Sequence, residues 1–274
     1  MPAASMSRKI LGSCLGCLLL VLCNLNAIAV ASGPDCSRPF TLALHEHGLL
    51  YSADTNTGID KDFADELIRR SGCKVNVNVM PRARIWQLIE SGALDFSLSG
   101  IATAERNRFA TFAWYFSNKY YLLVRKDANV KQLSDLEHKD RFQLGVIRSF
   151  RYGESANRLV DKLQAANRVS QANGLAPLYQ TLLLNRIQGM IIEPFDTPVL
   201  EEKKLHAITN LIEFNDPSVP HGLIMSKKSL ATSEQKKWRD LVNAMRSDGT
   251  VRRIFEKYFN SDIAASMTDF QTSQ

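Results

Sequence analysis

Residues 94–127 read LDFSLSGIATAERNRFATFAWYFSNKYYLLVRKD, and the fold turns on where this stretch bends. Leu94 to Ser99 is an apolar run of strand length that stops at Gly100. A helix start is expected next, with Thr103 as its cap and Arg106 in its first turn. A cation at a helix start is disfavoured by about 0.3–1 kcal/mol, so Arg106 calls for a purpose there. Tyr120 to Lys126 then reads as another strand.

Working outward, strands and helices alternate. Upstream, FTLALHE (40–46) is an apolar strand. DKDFADELIRRSG (60–72) is an amphipathic helix with acids first and Gly72 as its stop. KVNVNV (74–79) alternates with period two. PRARIWQLIESG (81–92) is a helix entered through Pro81 and ended by Gly92. With LDFSLSG this order implies a parallel sheet with crossover helices. Downstream, LSDLE is a short turn of helix and RFQLGVI (141–147) a strand. SFRYGESANRLVDKLQ (149–164) opens a helix with Ser149 as cap, and APLYQTLLLNRI (176–187) is a helix. GMIIE (189–193) and HGLIMSKK (221–228) are strands, and two amphipathic helices follow over 233–259. No linker rich in Gly, Ser or Pro separates the sets. The fold class expected is α/β, with two lobes, each a mixed, mostly parallel sheet flanked by helices, joined by strands that cross between them.

The chain has 274 residues, 45% hydrophobic and 23% charged, which excludes a disordered or fibrous chain. Arg8 and Lys9 precede an apolar run, Ile10 to Leu22, too short to span a bilayer, and NAIAVAS follows with small residues. Residues 1–31 are read as a cleaved secretory signal. Its loss removes Arg8 and Lys9 and no acid, taking the net charge from +6 to +4. Cations scattered among acids, with no basic helix, do not suggest nucleic acid. Cys36 and Cys73 remain, each just before a strand-like run. If those strands are parallel neighbours, both thiols lie at the same sheet end, where an oxidising compartment permits a disulfide; two free thiols are the alternative.

The sequence does not announce catalysis. It has no G-x-S-x-G and no P-loop. His45 and His47 share one strand face, but no second cluster completes a four-ligand metal site, and the pair is read as a polar strand end. Thr103 and Ser149 each stand at a helix start directly after a buried strand, where free N–H groups meet anions at the carboxyl edge of a sheet. Facing each other, they make a clamp. Arg106 then has its purpose, since a charge-assisted bond to a carboxylate is worth about 1.5–3 kcal/mol. Glu193, at the end of GMIIE, is placed to meet a ligand amine, with Asp196 as its competitor.

These features resemble the bacterial extracellular solute-binding proteins of family 3, the polar amino acid type, over roughly residues 38–262. The resemblance rests on GIDKDFADELIRR (58–70), on LIESGALDFSLSGIATAERNRFATFAWYFSNKYY (88–121), on LSDLEHKDRFQLGVIRSF (133–150) and on MRSDGTVRRIFEKYF (245–259). MPRARIW (80–86) is similar to a subgroup with P-R-x-R at this helix start. The resemblance implies the type II periplasmic binding fold. One lobe would hold residues 36–119 plus 222–274 and the other 120–221. It implies that Arg106, with Thr103, Gly100 and Ile101 of the same turn, grips a ligand carboxylate. Amides of the RSF turn, Ser149 and Phe150 included, would donate to it, Glu193 would hold an amine, and Tyr51 would cover the ligand. GIATAER is one residue shorter than the family's usual turn, and Ser149 and Glu193 stand where Gly and Asp are usual. The additional cations Arg82, Arg84, Arg148 and Arg151 suggest a more anionic ligand, and Arg82 and Arg151 join the candidate site.

The resulting expectation is a periplasmic, monomeric, non-enzymatic binding protein with no cofactor. It would close over a small anionic or zwitterionic solute, an amino acid by resemblance, and deliver it to an ABC-type permease in the membrane. Two rivals stand. One is a dehydratase of the cyclohexadienyl type, with Glu193 as general acid. The other is a sensor, which on a chain ending at DFQTSQ would signal only through a membrane partner.

Overall fold

The computed structural model describes residue 1 and residues 33–270. Apart from Met1, the expected signal peptide lies outside the described residues. Two five-stranded sheets organise the chain. The first has the order β2-β1-β3-β10-β4, from β1 (Phe40–Leu44), β2 (Val75–Val79), β3 (Phe96–Gly100), β4 (Ala110–Asn118) and β10 (Val219–Ser226). The second has the order β7-β6-β8-β5-β9, from β5 (Tyr121–Arg125), β6 (Leu144–Ile147), β7 (Val169–Ala172), β8 (Gly189–Ile192) and β9 (Thr209–Glu213).

Both sheets share one plan. Three neighbouring strands are parallel, and the fourth in order is antiparallel to both its neighbours. In each sheet that reversed strand is the one whose chain has just crossed from the other sheet: β5 follows β4, and β10 follows β9. The crossings lie side by side, since Asn118 pairs with Val219 and Tyr121 with Glu213. Backbone hydrogen bonds thus tie the two connections into a two-stranded strap.

Alternation along the strands sends side chains to opposite faces. In β1, Leu42 and Leu44 join Phe63 and Leu67 of α1 (Ile59–Ser71), while Ala43 joins Ile85 and Ile89 of α2 (Arg82–Ser91). In β5, Leu122 and Val124 meet Val160 and Leu163 of α3 (Glu154–Ala165), and Leu123 meets Leu178 and Leu182 of α4 (Leu175–Leu183). The chain then passes through α5 (Thr197–Glu202). After β10, α6 (Thr232–Ser247), α7 (Thr250–Phe255) and α8 (Ser261–Thr268) close the first sheet. Trp238 of α6 packs on Phe40 and Phe96 with ring centroids at 5.2 and 4.6 Å. Gly72 and Gly92 end α1 and α2 in the left-handed region, at φ 67° and 78°, as a residue without Cβ does most readily.

Cys36 and Cys73 are bridged. The geometry that permits it is the expected one: β1 and β2 are parallel neighbours, and Phe40 lies opposite Val75.

Two expected helix starts are corrected. After Gly100 there is no α-helix, only a single 3-10 turn, Arg106–Arg108, that leads straight into β4. Ser149 does not cap α3. It sits in a tight turn at φ 62°, and α3 begins at Glu154 with Gly153 before it. The first amides of α3 are taken by Asp216, whose carboxylate accepts from Ser155 N at 2.9 Å and Ala156 N at 3.4 Å. A Cβ on Gly153 would lie 2.3 Å from that carboxylate, so the close approach needs glycine. The clamp of two free helix N-termini is therefore not how this site is built.

Candidate ligand-binding site

The carboxyl ends of β1, β3, β6 and β8 converge where the two sheets face each other, the edge at which open α/β sheets take ligands. The residues at or just past these ends are His45 and His47, Gly100 and Ile101, Phe150 and Arg151, and Glu193. All line one cavity, with Arg82, Trp86, Arg106, Tyr120 and His221.

Arg106 is 7% exposed. Thr103 Oγ1 accepts from its backbone N–H at 3.1 Å, which fixes the turn. Its guanidinium lies 3.9 Å from the Trp86 ring centroid. It donates to Ile101 O at 3.0 Å and, across the cleft, to Ser149 O at 2.8 Å. Burial, and then repulsion from Arg82 and Arg151, pushes its pKa down to about 9.

Arg82 is 5% exposed at the start of α2. It donates to Leu98 O at 2.9 Å and Ser99 O at 3.2 Å. Ser99 has φ 51°, a strained value for a residue with a Cβ, which lets successive carbonyls meet one guanidinium. The turn is held from behind. Ser99 N donates to the Tyr115 hydroxyl at 2.9 Å, and Asp60 accepts from Ser99 Oγ at 2.7 Å and from Tyr115 at 2.8 Å. Burial pushes the Asp60 carboxyl up to about 6, against those bonds. Burial also lowers Arg82, to about 10, with Asp60 opposing. Among the described residues neither guanidinium pairs with a carboxylate; both rest on carbonyl oxygens.

The second sheet contributes an aromatic plug and an acid. Phe150 stacks on His47 at 5.1 Å, and the Arg82 guanidinium lies 5.5 Å from its ring centroid. Glu193 is buried, with His47 Nε2 at 3.6 Å, an ion-pair distance slightly beyond hydrogen-bond length, and Asn118 Nδ2 at 3.5 Å. Burial alone would raise the Glu193 pKa, but His47 outweighs it and the net is lowered. Burial likewise opposes charge on His47, yet Glu193 raises its pKa overall. Asp196 accepts from Glu193 N at 2.8 Å and stays behind the cavity wall.

His221 belongs to the strap. Its Nδ1 donates to Val219 O at 2.8 Å, so Nε2 accepts from the Tyr120 hydroxyl at 2.9 Å and the ring is neutral. Burial pushes its pKa down to about 4. His45 is 3% exposed and, among the described residues, has no hydrogen-bond partner on either ring nitrogen. Burial, then Arg82, holds it well below its ordinary value, hence neutral.

Of the residues singled out in the sequence, Gly100, Ile101, Arg82, Arg106, Phe150, Arg151 and Glu193 come together on the cavity. Thr103 supports Arg106 from behind, and Ser149 presents its carbonyl. In the RSF turn, Arg148 N and Phe150 N are bonded to Ala172 O and Ile147 O, which leaves the Ser149 amide. Tyr51 is buried in the first core, its hydroxyl 3.3 Å from Asn56 Oδ1, and does not line the cavity. Sequence reasoning missed Trp86, Tyr120 and His221 and took His45 and His47 for a polar strand end; the His-x-His position just past β1, on the ligand edge of the sheet, was the signal for the pair. Among the described residues no three His, Cys, Asp or Glu side chains are grouped to hold a metal, and no helix is long and apolar enough to cross a membrane.

The fold is that of known solute-binding structures. An ancestral arginine-binding protein bound to arginine superposes with TM-score 0.68 at 21% identity, over 82% of this chain and 100% of that one. An ABC uptake transporter substrate-binding protein from Streptococcus pneumoniae with bound histidine gives 0.68 at 19%, over 82% and 94%. The GluR0 ligand-binding core from Nostoc punctiforme in complex with L-glutamate gives 0.67 at 13%, over 81% and 100%. No individual curated protein matches the chain. The profile of one family matches residues 37–261. With its two-lobe α/β fold, the chain belongs to the bacterial extracellular solute-binding proteins, family 3.

Proposed function

We propose that this protein captures a small carboxylate-bearing solute of amino acid size in the periplasm and hands it to an ABC-type permease. The observation that carries this reading is a pair of buried guanidiniums, Arg82 and Arg106, that share one cavity and, among the described residues, have no carboxylate partner. A buried charge without a counter-ion is costly, and a ligand carboxylate offsets that cost. Residues 36–119 plus 222–274 and residues 120–221 act as the two lobes, and the paired strap is the hinge. The cavity holds about 20 Å³, room for about one water molecule. An amino-acid-sized solute therefore enters only as Ser149 and Phe150 withdraw with their lobe. The substrate-binding protein from Streptococcus pneumoniae, with its bound histidine and ABC uptake transporter, supports both the solute class and the partner.

Glu193 speaks against the dehydratase reading. A general acid at neutral pH needs a raised pKa, whereas His47 holds Glu193 below its ordinary value. A sensor role keeps one support, the likeness to the GluR0 core. Uptake separates transport from sensing. The solute carried by the exported protein is identified by native mass spectrometry, and its uptake is measured in cells with and without the gene. Transport predicts that uptake is lost on deletion and restored by the wild type but not by Arg106→Ala. Unchanged uptake of a solute the protein binds would contradict delivery.

A further inference from the structure

We infer that the solute carries two acidic groups and no ammonium group, so that a dicarboxylate fits the cavity better than a zwitterionic amino acid. This rests on the solute-capture reading of the same cavity and goes further on three observations.

The first is the doubled guanidinium. A single carboxylate needs one fork of two N–H donors, and Arg106 supplies it. Arg82 is a second fork, just as buried, fixed by the Leu98 and Ser99 carbonyls and unpaired with any acid among the described residues. The strained Ser99 turn and the Asp60–Tyr115 network behind it hold that second fork in place. Two like charges in one small buried cavity repel each other, and two ligand anions relieve this.

The second observation is that the acid placed to receive an amine is already engaged. Glu193 faces His47 at 3.6 Å and Asn118 at 3.5 Å. An incoming ammonium would have to compete with the His47 ring, whose protonated form Glu193 favours against burial. Of the groups on the cavity wall, Arg82, Arg106 and Arg151 are cationic, Glu193 is the one carboxylate, and Glu193 favours the protonated form of His47. Asp60 and Asp196 lie behind the wall, both pushed up to about 6 by burial, and offset this only in part.

The third is His45. It is buried on the cavity wall, neutral, and among the described residues has no hydrogen-bond partner on either ring nitrogen. A neutral imidazole offers an N–H to a carboxylate oxygen and gives an ammonium no charge to prefer.

The test is calorimetry on the exported, unfolded and refolded chain with succinate, glutarate, glutaramate, L-glutamate, L-glutamine and L-arginine. The expected result is that succinate or glutarate binds at least tenfold more tightly than L-glutamate, L-glutamine and L-arginine. Glutaramate, which keeps one acid and replaces the other by an amide, should bind at least tenfold more weakly than glutarate. Arg82→Met should then bring glutarate down to the level of glutaramate. Arg82→Lys, which keeps the charge and loses the fork, should fall between them, and unliganded melting temperatures near wild type certify that both variants fold. If an amino acid binds more tightly than the dicarboxylates, or glutaramate matches glutarate, the inference is overturned while solute capture stands. If none of the six binds, both fail.

Discussion

At the scale of single residues, Arg106 carries the account. A side chain expected in the first turn of an α-helix lies instead in a 3-10 turn, where Thr103 fixes its backbone and Trp86 its guanidinium. Truncating one side of a buried charge pair costs about 2–5 kcal/mol of binding. Arg106→Ala should therefore weaken the solute by that amount in calorimetry while leaving the melting temperature of the unliganded chain within a few degrees. Affinity within threefold of wild type would move the anchor to Arg82. Arg106 and Glu193 were legible in the sequence because each follows a buried strand at the ligand edge. His45 and His47 were not: what buries them includes Phe150, about a hundred positions away in the chain, and no local pattern shows that contact.

At the scale of elements, helices with Gly stops and strands bounded by turns could be read directly, and their ends fall within a few residues of expectation. β4 was missed because its nine residues follow a turn read as a helix start and are buried on both faces, which erases alternation. β7 and β9 are short and mostly solvent-exposed, with only Val169 and Ala172 apolar in one and Leu211 and Ile212 in the other, too few to set a period. The cap of α3 was unreadable for another reason: Asp216 arrives from 60 residues downstream. Asp216→Ala should destabilise the fold by about 1 kcal/mol, the usual loss for a helix cap, seen as a lower denaturant midpoint with an unchanged m-value; no change would mean that water serves those amides equally well. The Cys36–Cys73 bridge closes a loop with sequence separation 37, for which chain entropy gives about 4 kcal/mol. Replacing both cysteines by serine should lower unfolding stability by up to that amount, and a loss below 1 kcal/mol would show that the reduced chain is already constrained there.

At the scale of the whole molecule, contacts that hold the lobes together include Leu49 N to Phe195 O, Arg106 to Ser149 O, Phe150 on His47, His45 and Arg82, and His47 to Glu193. The last depends on pH. Glu193 is lowered from 4.5, so its contribution is complete above 4.5 and is lost as pH falls through its folded value. His47 is raised from 6.5, so its contribution is complete below 6.5 and is lost as pH rises through its folded value. The pair thus contributes fully between 4.5 and 6.5. The melting temperature of wild type minus that of Glu193→Gln should be largest in this window and shrink as pH climbs above it. Groups common to both proteins, Asp60, Asp196, His45 and His221, largely cancel in the difference. A difference that stays flat to pH 9 would mean the pair is not ionic.

The central claim is that a carboxylate is taken at Arg106 between two closing lobes, and thermal unfolding with and without solute tests it most directly. Wild type and Arg106→Ala are melted alone and with glutarate or L-glutamate at millimolar concentration. A solute at 100 times its dissociation constant adds about 2.7 kcal/mol to wild type, so the account predicts a rise of several degrees in wild type and none in Arg106→Ala, from nearly equal starting points. An equal rise in both proteins, or no rise in wild type with either solute, would contradict it.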